Sequence, residues 1–126
     1  MRAIVPVGRV LFAWIFVASI IGHFSGAEIA EASAHGVPFA HLVVPLAGLL
    51  ALAGGVMVIL GYRARFGALL LLIFLVPVTL VMHKFWGIPD PQLAMLQKIS
   101  FMKNTSLMGA CLLVMYFGSG PYSLDS

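Results

Sequence analysis

The sequence FGALLLLIFLVPVTLVMH at residues 66–83 determines the architecture, because it is an apolar run without a charged side chain. A helix needs about 20 mostly apolar residues to cross the hydrocarbon core of a bilayer. Three further apolar runs occupy residues 7–24, 41–61 and 97–118. None of them alternates like a barrel strand, so the backbone must satisfy its hydrogen bonds within helices. The sequence therefore predicts an all-α membrane protein, a bundle of four transmembrane helices.

The composition indicates the same class of protein. Of the 126 residues, 62% are hydrophobic and 9% are charged, whereas soluble domains are about half apolar and a quarter charged. The length fits a single domain, residues 1–126. The Lys and Arg residues behind the net charge of +3 flank apolar runs, so we expect the lipid bilayer, and not nucleic acid, as the partner. Cys111 is the only cysteine, which excludes an intrachain disulfide and a CxxC centre.

Turn chemistry separates the four runs. Residues 61–65, GYRAR, form a tight basic connection, and residues 87–91, GIPDP, break the chain before the fourth run. The longer connection at 25–38 is expected to hold a short helix near the membrane surface. Its start, SGA at 25–27, is similar to a signal-peptide cleavage site, but we expect the first run to be a retained helix.

Small residues recur at four-residue spacing in two of the runs. The two stripes are Ala18, Gly22 and Gly26, and Ala47, Ala51 and Gly55. Such stripes let helices approach closely in lipid. We expect them to serve packing within one bundle rather than dimerisation.

The charges predict the orientation. Cytoplasmic loops of membrane proteins carry an excess of Lys and Arg. Four arginines fall on the side of both termini, namely Arg2, Arg9, Arg63 and Arg65. The opposite side holds Glu28, Glu31, Asp90, Lys84 and Lys98. We therefore predict cytoplasmic N and C termini in a multi-pass protein of the bacterial inner membrane.

Polar side chains gather where the predicted helices end on the periplasmic side. Antiparallel packing would bring these ends together into one pocket, covered by the rings of Phe85, Trp86 and Phe101. Ionisable groups at membrane depth indicate a functional site by default, and Lys103 beside Asn104 lies deepest in its run. The candidate ligand-binding residues are His23, His41, His83, Trp86, Gln97, Lys103 and Asn104.

Each candidate also has a structural interpretation. Histidines at helix ends can simply lie in the headgroup interface, and Trp86 is typical of an aromatic belt. Lysine side chains can extend to the headgroups. Lys103 lies about 7–8 Å deeper than Lys98 at 1.5 Å rise per residue. Its side chain can therefore either extend to the headgroups or face inward as part of a site.

Arg9 interrupts the first apolar run near its predicted cytoplasmic end. It can fasten the helix to the interface, or it can face inward and bond carbonyl groups near Gly61. A metal centre is not expected, because His23, His41 and His83 lack the local spacing and acidic support of a zinc site.

Several short motifs are similar to those of a known family. They are GRVL at 8–11, AG at 47–48 with GG at 54–55, GYRAR at 61–65, HKFW at 83–86, and FMKN at 101–104 followed by LMG at 107–109. With these motifs, the chain resembles the DoxX family of small bacterial inner-membrane proteins over nearly its whole length. The resemblance implies a four-helix bundle associated with thiosulfate:quinone oxidoreductase or with membrane-anchored oxidoreductase complexes. The residues that match its motif positions are Arg9, His83, Trp86, Lys103 and Asn104.

Two classes of function follow. In the first, the protein is the membrane subunit of a quinone- or thiol-linked redox system, and in the quinone case Lys103 and Asn104 bond the carbonyl oxygens while His83 exchanges protons. A periplasmic or membrane-associated oxidoreductase is then its partner, because the chain has no redox centre of its own. In the second, it is not an enzyme but a membrane scaffold or a small-molecule or lipid-binding protein. Homo-oligomerisation is compatible with both classes.

Overall fold

The computed structural model describes residues 1–124, and this part of the chain forms six α-helices and no strand. The helices are α1 (Ile4–Ala18), α2 (Ile20–His23), α3 (Gly26–Ala34), α4 (Ala40–Leu60), α5 (Ala64–Met82) and α6 (Pro91–Phe117). The predicted all-α class is confirmed. The short helix predicted between the first two runs is confirmed as α3.

Three segments are long and apolar enough to cross a membrane: Ile4–His23, Ala40–Leu60 and Ala64–Met82. The first combines α1 and α2. These segments correspond to the first three predicted runs, and each boundary lies within about three residues of the prediction, because bilayer thickness limits the length of a spanning helix.

Helix α6 differs from the predicted fourth run because it begins at Pro91 and not at residue 97. The Oδ1 atom of Asp90 accepts a hydrogen bond from the Gln92 backbone N–H at 3.0 Å and caps the helix. Proline is well tolerated in the first helical turn, so assigning Pro91 to a helix-free break was wrong. Lys98 and Lys103 make α6 less apolar than the other long helices, and α6 is not among the three segments above.

The long helices pack in the order α1–α4–α5–α6. Glycines permit the closest approaches: a Cβ on Gly54 would lie 2.7 Å from the Gly67 carbonyl oxygen, and one on Gly55 would lie 3.0 Å from the Val17 side chain. Small residues at crossings let backbones approach in lipid. The buried core that results contains Ala13, Phe16, Ala51, Val58, Ala68, Leu71, Phe74, Leu75 and Cys111.

The two terminal segments of the chain meet at one end of the bundle. The Leu124 N–H donates a hydrogen bond to the Leu60 carbonyl oxygen at 3.1 Å, so the segment after α6 covers the end of α4. We call this the terminal end. The opposite end holds α3, His23 and His83, and we call it the histidine end.

Candidate functional site

A cavity of about 910 Å³ lies between the helices towards the histidine end. Its apolar wall comes chiefly from α1, α4 and α5 and includes Phe16, Val44, Ala47, Leu50, Phe74 and Val78. Its polar lining consists of Ser19, His23, Glu28, Glu31, His35, His83, Lys103 and Asn104. Small-molecule sites typically measure about 300–1,000 Å³, so this histidine-end cavity has the size of a ligand site.

His23 is built into the cavity wall by the residues around it. Its Nδ1 lies 2.8 Å from the Ser19 carbonyl oxygen. A carbonyl can only accept, so Nδ1 carries the proton and donates. The ring lies beside Phe74, with centroids 5.4 Å apart. A Cβ on Gly48 would lie 2.4 Å from the His23 Cβ, so only glycine at position 48 leaves room for this histidine.

Helix α3 begins beside His23 and covers one side of the cavity. The hydroxyl oxygen of Ser25 accepts a hydrogen bond from the Glu28 N–H at 3.1 Å and caps the helix. The Glu28 carboxylate lies over Gly22, where a side chain would collide with it. Its Oε2 lies 3.9 Å from His23 Nδ1. The cap and the glycine together hold an acidic group next to the histidine.

The α3 residues were not among the predicted site residues. Glu28, Glu31, Ala32 and His35 all line the cavity. Glu28, Glu31 and His35, the residue that follows α3, are separated by three and four residues, and Ala32 lies four residues after Glu28, so they lie on one side of the helix. That spacing was present in the sequence, but it shows a shared face without showing what the face covers.

His83 and Gln97 connect α5 to α6. The Nδ1 of His83 lies 2.9 Å from the Oε1 of Gln97, as in a hydrogen bond from the ring N–H to the amide oxygen. His83 immediately follows Met82, the last residue of α5, and it lines the cavity, whereas Gln97 does not. Gln97 thus positions the ring from behind the cavity wall.

Asn104 and Lys103 bring the polar part of α6 to the same cavity. Asn104 is 5% exposed, although it lies in the middle of a long helix. Lys103 is exposed, and both residues line the cavity together with His83. The structure therefore places an ammonium, an amide and an imidazole around one space. Their role in binding a ligand stays a prediction.

Trp86 does not cover the cavity. The rings of Phe85, Trp86 and Phe101 form an edge-to-face cluster with centroids 5.3, 5.4 and 5.8 Å apart. Lys98 Nζ lies 6.0 Å from the Phe85 centroid. None of these four side chains lines the histidine-end cavity. The rings pack on one another and not over this cavity, and helix α3 covers it instead.

His41 also lies outside the cavity. Ala40 and Val44, four residues apart, form the buried face at the start of α4. Successive helical residues are about 100° apart, so His41 points away from that face and is exposed. The prediction placed it at the correct helix end but could not give its direction.

Arg9 lies at the terminal end and faces inward. It is only 6% exposed. Its Nη1 donates to the carbonyl oxygens of Ser119 at 2.6 Å and of Pro121 at 3.1 Å. Its Nη2 donates to the Tyr122 carbonyl oxygen. Arg9 thus holds the segment after α6, and its acceptors are the carbonyls of that segment and not those near Gly61.

The described residues 1–124 hold no group of three His, Cys, Asp or Glu side chains that could bind a metal ion. The geometry instead defines a helical integral membrane protein with a partly polar cavity between its helices. Within that class, the chain belongs to the SURF4 family, whose model matches residues 4–126.

The predicted membership of the DoxX family is therefore wrong, because the matching family model is that of SURF4. The bilayer imposes similar span lengths and basic turns on unrelated small membrane proteins, so short motifs in such a frame discriminate poorly between families. Neither the family match nor the relative described next supports the redox or quinone role that the resemblance implied.

The chain is similar to the inner membrane protein YphA of Escherichia coli (strain K12), with 28% identity over 90 residues. The match covers 71% of this chain and 64% of the relative, so the chain spans less than two-thirds of that protein's length. No solved structure matches the chain significantly. The relative's location and the apolar helices confirm the predicted location, a multi-pass protein of the bacterial inner membrane.

Proposed function

We propose that this protein is not an enzyme but binds an amphiphilic small molecule or a lipid in the histidine-end cavity. The observation that carries the proposal is the divided lining of the cavity, with apolar side chains from the membrane helices and polar side chains at one end. Ligand sites are commonly apolar with a few polar groups that fix orientation. An amphiphile has the same division between hydrocarbon and head group.

The access to the cavity favours a ligand from the bilayer. Three apolar lining residues, Leu46, Ile73 and Val81, are 63%, 51% and 38% exposed, so the cavity is open to its surroundings. They belong to α4 and α5, which have the length and composition of membrane spans. Lipid chains surround such helices, and a ligand can therefore enter sideways without passing through water.

The polar lining sets the chemistry of the head group. Lys103 and Asn104 offer donors, while the carboxylates of Glu28 and Glu31 offer acceptors. A quinone is one amphiphile whose carbonyl oxygens suit the donors, and we include it as a ligand rather than as a redox cofactor. A partner oxidoreductase and a homo-oligomer stay untested proposals beside this one.

The proposal includes the crossing of α6 as a fourth span with both termini in the cytoplasm. Helix α6 packs along α5, and its 27 residues extend about 40 Å at 1.5 Å per residue. The terminal end holds the four arginines, and cytoplasmic segments are enriched in such residues. Reporter fusions to the C terminus test this: periplasmic activity of the reporter would contradict it.

The first experiment fills the cavity. Ala47 lines the cavity, whereas Ala53 is exposed elsewhere on the same helix. Wild type, Ala47→Phe and Ala53→Phe are purified in nanodiscs and labelled with a phospholipid that carries a photoreactive acyl chain. We expect Ala47→Phe to lower the labelling of cavity peptides several-fold and Ala53→Phe to leave it unchanged. Equal labelling of all three proteins, with unchanged helicity, would leave only the scaffold function.

The second experiment tests the polar end with a matched pair of lysines. Lys103 lines the cavity, while Lys98 lies over the Phe85 ring outside it. Binding of a photoreactive quinone and of the photoreactive lipid is compared in Lys103→Ala and Lys98→Ala. Of the two probes, the preferred ligand is the one that the wild-type protein binds more tightly. We expect Lys103→Ala, and not Lys98→Ala, to weaken binding of that probe. Equal binding by both variants would contradict the assignment of the head-group site.

A further inference from the structure

The charged residues are divided between the two ends of the bundle. Glu28 and Glu31 line the histidine-end cavity, and Asp90 caps α6 at the same end. The fourth acidic residue, Asp125, lies outside the described residues. The terminal end instead holds the arginines Arg2, Arg9, Arg63 and Arg65. The described part of this end is therefore strongly cationic, and anions are attracted to it.

A second cavity at the terminal end collects two of these arginines. It measures about 530 Å³ and lies between the start of α5 and the end of α6. We call it the arginine cleft. Its lining consists of Arg63, Ala64, Arg65, Phe66, Phe117, Gly118, Ser119 and Gly120.

The backbone around the cleft positions the guanidinium groups. Gly118 has φ +81°, and a Cβ there would lie 3.0 Å from the Arg65 Nε, so glycine lets the guanidinium lie along the chain. The Arg63 guanidinium carbon lies 5.8 Å from the Tyr62 ring centroid. Helix α5 begins at Ala64, between the two arginines, so the positive end of its helix dipole lies beside them.

We propose that the arginine cleft binds the phosphate group of an anionic phospholipid. Planar guanidinium groups bond phosphate oxygens in pairs, which makes arginine well suited to this ligand. Phe66 and Phe117 also line the cleft and are 53% and 69% exposed. Their rings offer contacts to the glycerol and acyl parts of a lipid, which free phosphate does not have. The site is separate from the histidine-end cavity and goes beyond the function proposed above.

The test compares lipid retention by the whole protein in native mass spectrometry. Detergent-solubilised protein is exposed to equal amounts of phosphatidylglycerol and phosphatidylcholine of the same chain length. We expect wild type to retain the anionic lipid preferentially and Arg65→Ala to lower that retention about tenfold, which corresponds to 1.4 kcal/mol. Arg65→Lys should give an intermediate loss, because an ammonium cannot bond two phosphate oxygens in the guanidinium geometry.

Arg2→Ala is the matched control, since Arg2 is an exposed arginine at the same end whose guanidinium lies 5.8 Å from the Tyr122 ring centroid. It should change retention less than twofold. Equal losses in Arg2→Ala and Arg65→Ala would mean a diffuse surface charge and overturn the site. If Arg65→Ala does not fold, Arg65→Lys decides, and retention equal to wild type overturns the proposed geometry.

Two further arms distinguish the source of the anion. Inorganic phosphate and glycerol phosphate are added as competitors. Displacement of the lipid by either one at equal concentration would assign the cleft to a soluble phosphate and overturn the lipid proposal. The last variant is Asp125→Asn. If this variant retains the anionic lipid preferentially and wild type does not, a carboxylate of the chain itself occupies the cleft, and the lipid proposal is overturned.

Discussion

Replacing Arg9 by methionine should loosen the terminal end of the bundle. Methionine keeps an unbranched apolar side chain of similar length but removes every donor. Arg9 donates to three carbonyl oxygens, those of Ser119, Pro121 and Tyr122. All three acceptors belong to the segment that follows α6, so the substitution removes the hydrogen bonds that tie α1 to that segment.

The magnitude follows from the number and burial of these bonds. Hydrogen bonds to charged groups contribute about 1.5–3 kcal/mol each in soluble proteins, whereas those between membrane helices average about 0.6 kcal/mol. The bond to Ser119 is buried and the other two are partly buried. Removal of the cation also relieves its desolvation. We therefore expect Arg9→Met to lower the free energy of unfolding by about 2–4 kcal/mol, and Arg9→Lys by about half of that.

The assay is unfolding in mixed micelles of increasing SDS fraction, followed by far-UV circular dichroism. Limited chymotrypsin digestion in parallel reports cleavage after Tyr122. Arg2→Met is the control, and an exposed residue of this kind should change stability by less than about 0.5 kcal/mol. The reasoning is refuted if the free energy of unfolding of Arg9→Met lies within that margin of the wild-type value and its C-terminal segment resists chymotrypsin as well as that of wild type. Arg9 would then not hold this segment.

Three shorter predictions concern the rest of the bundle. A double-mutant cycle on His83→Ala and Gln97→Ala should give a coupling free energy of about 0.5–1.5 kcal/mol, and additive losses would mean that no hydrogen bond joins them. Gly54→Ala should lower the free energy of unfolding by about 1–3 kcal/mol, because the new Cβ would lie 2.7 Å from a carbonyl oxygen of α5. Gly109→Ala is the control: its Cβ would meet nothing within 4 Å, and it should be nearly neutral in the same unfolding assay. Ser25→Ala should cost about 1 kcal/mol through loss of the α3 cap, and hydrogen exchange should show faster opening of α3 alone.

The sequence was sufficient for the features that the membrane itself imposes. Bilayer thickness restricts the length of an apolar run, so the segments Ile4–His23, Ala40–Leu60 and Ala64–Met82 lie close to the predicted runs. The same constraint explains why the family resemblance was wrong. A pattern that the bilayer imposes on many proteins contains little information about which family a chain belongs to.

The directions of side chains could not be predicted so well. His41 and Trp86 were placed at the correct end of the bundle, yet both lie outside the cavity. A helix turns by about 100° per residue, so an uncertainty of one residue in the buried face is enough to turn a side chain outward. Asn104 was easier to place, because burial is the usual alternative to exposing an amide to lipid.

The start of α6 was missed for a different reason. Prolines at 89 and 91 indicate a break when each is considered alone, but Asp90 between them is a helix cap and Pro91 is a good first residue. Local sequence rules thus conflict at this point, and the cap prevails because it satisfies a backbone N–H that would otherwise lack a partner.

The histidine-end cavity follows from the uneven distribution of small residues among the helices. Gly54 and Gly55 let α4 approach α5 and α1 until their backbones nearly touch. Helix α6 has no equivalent contact, since a Cβ on Gly109 would meet nothing within 4 Å. Within the described chain, α6 packs extensively on α5 and has no comparable contact with α1. The space that α1 and α6 leave open is therefore lined by all the long helices, and α3, whose acidic side carries Glu28 and Glu31, lies over it.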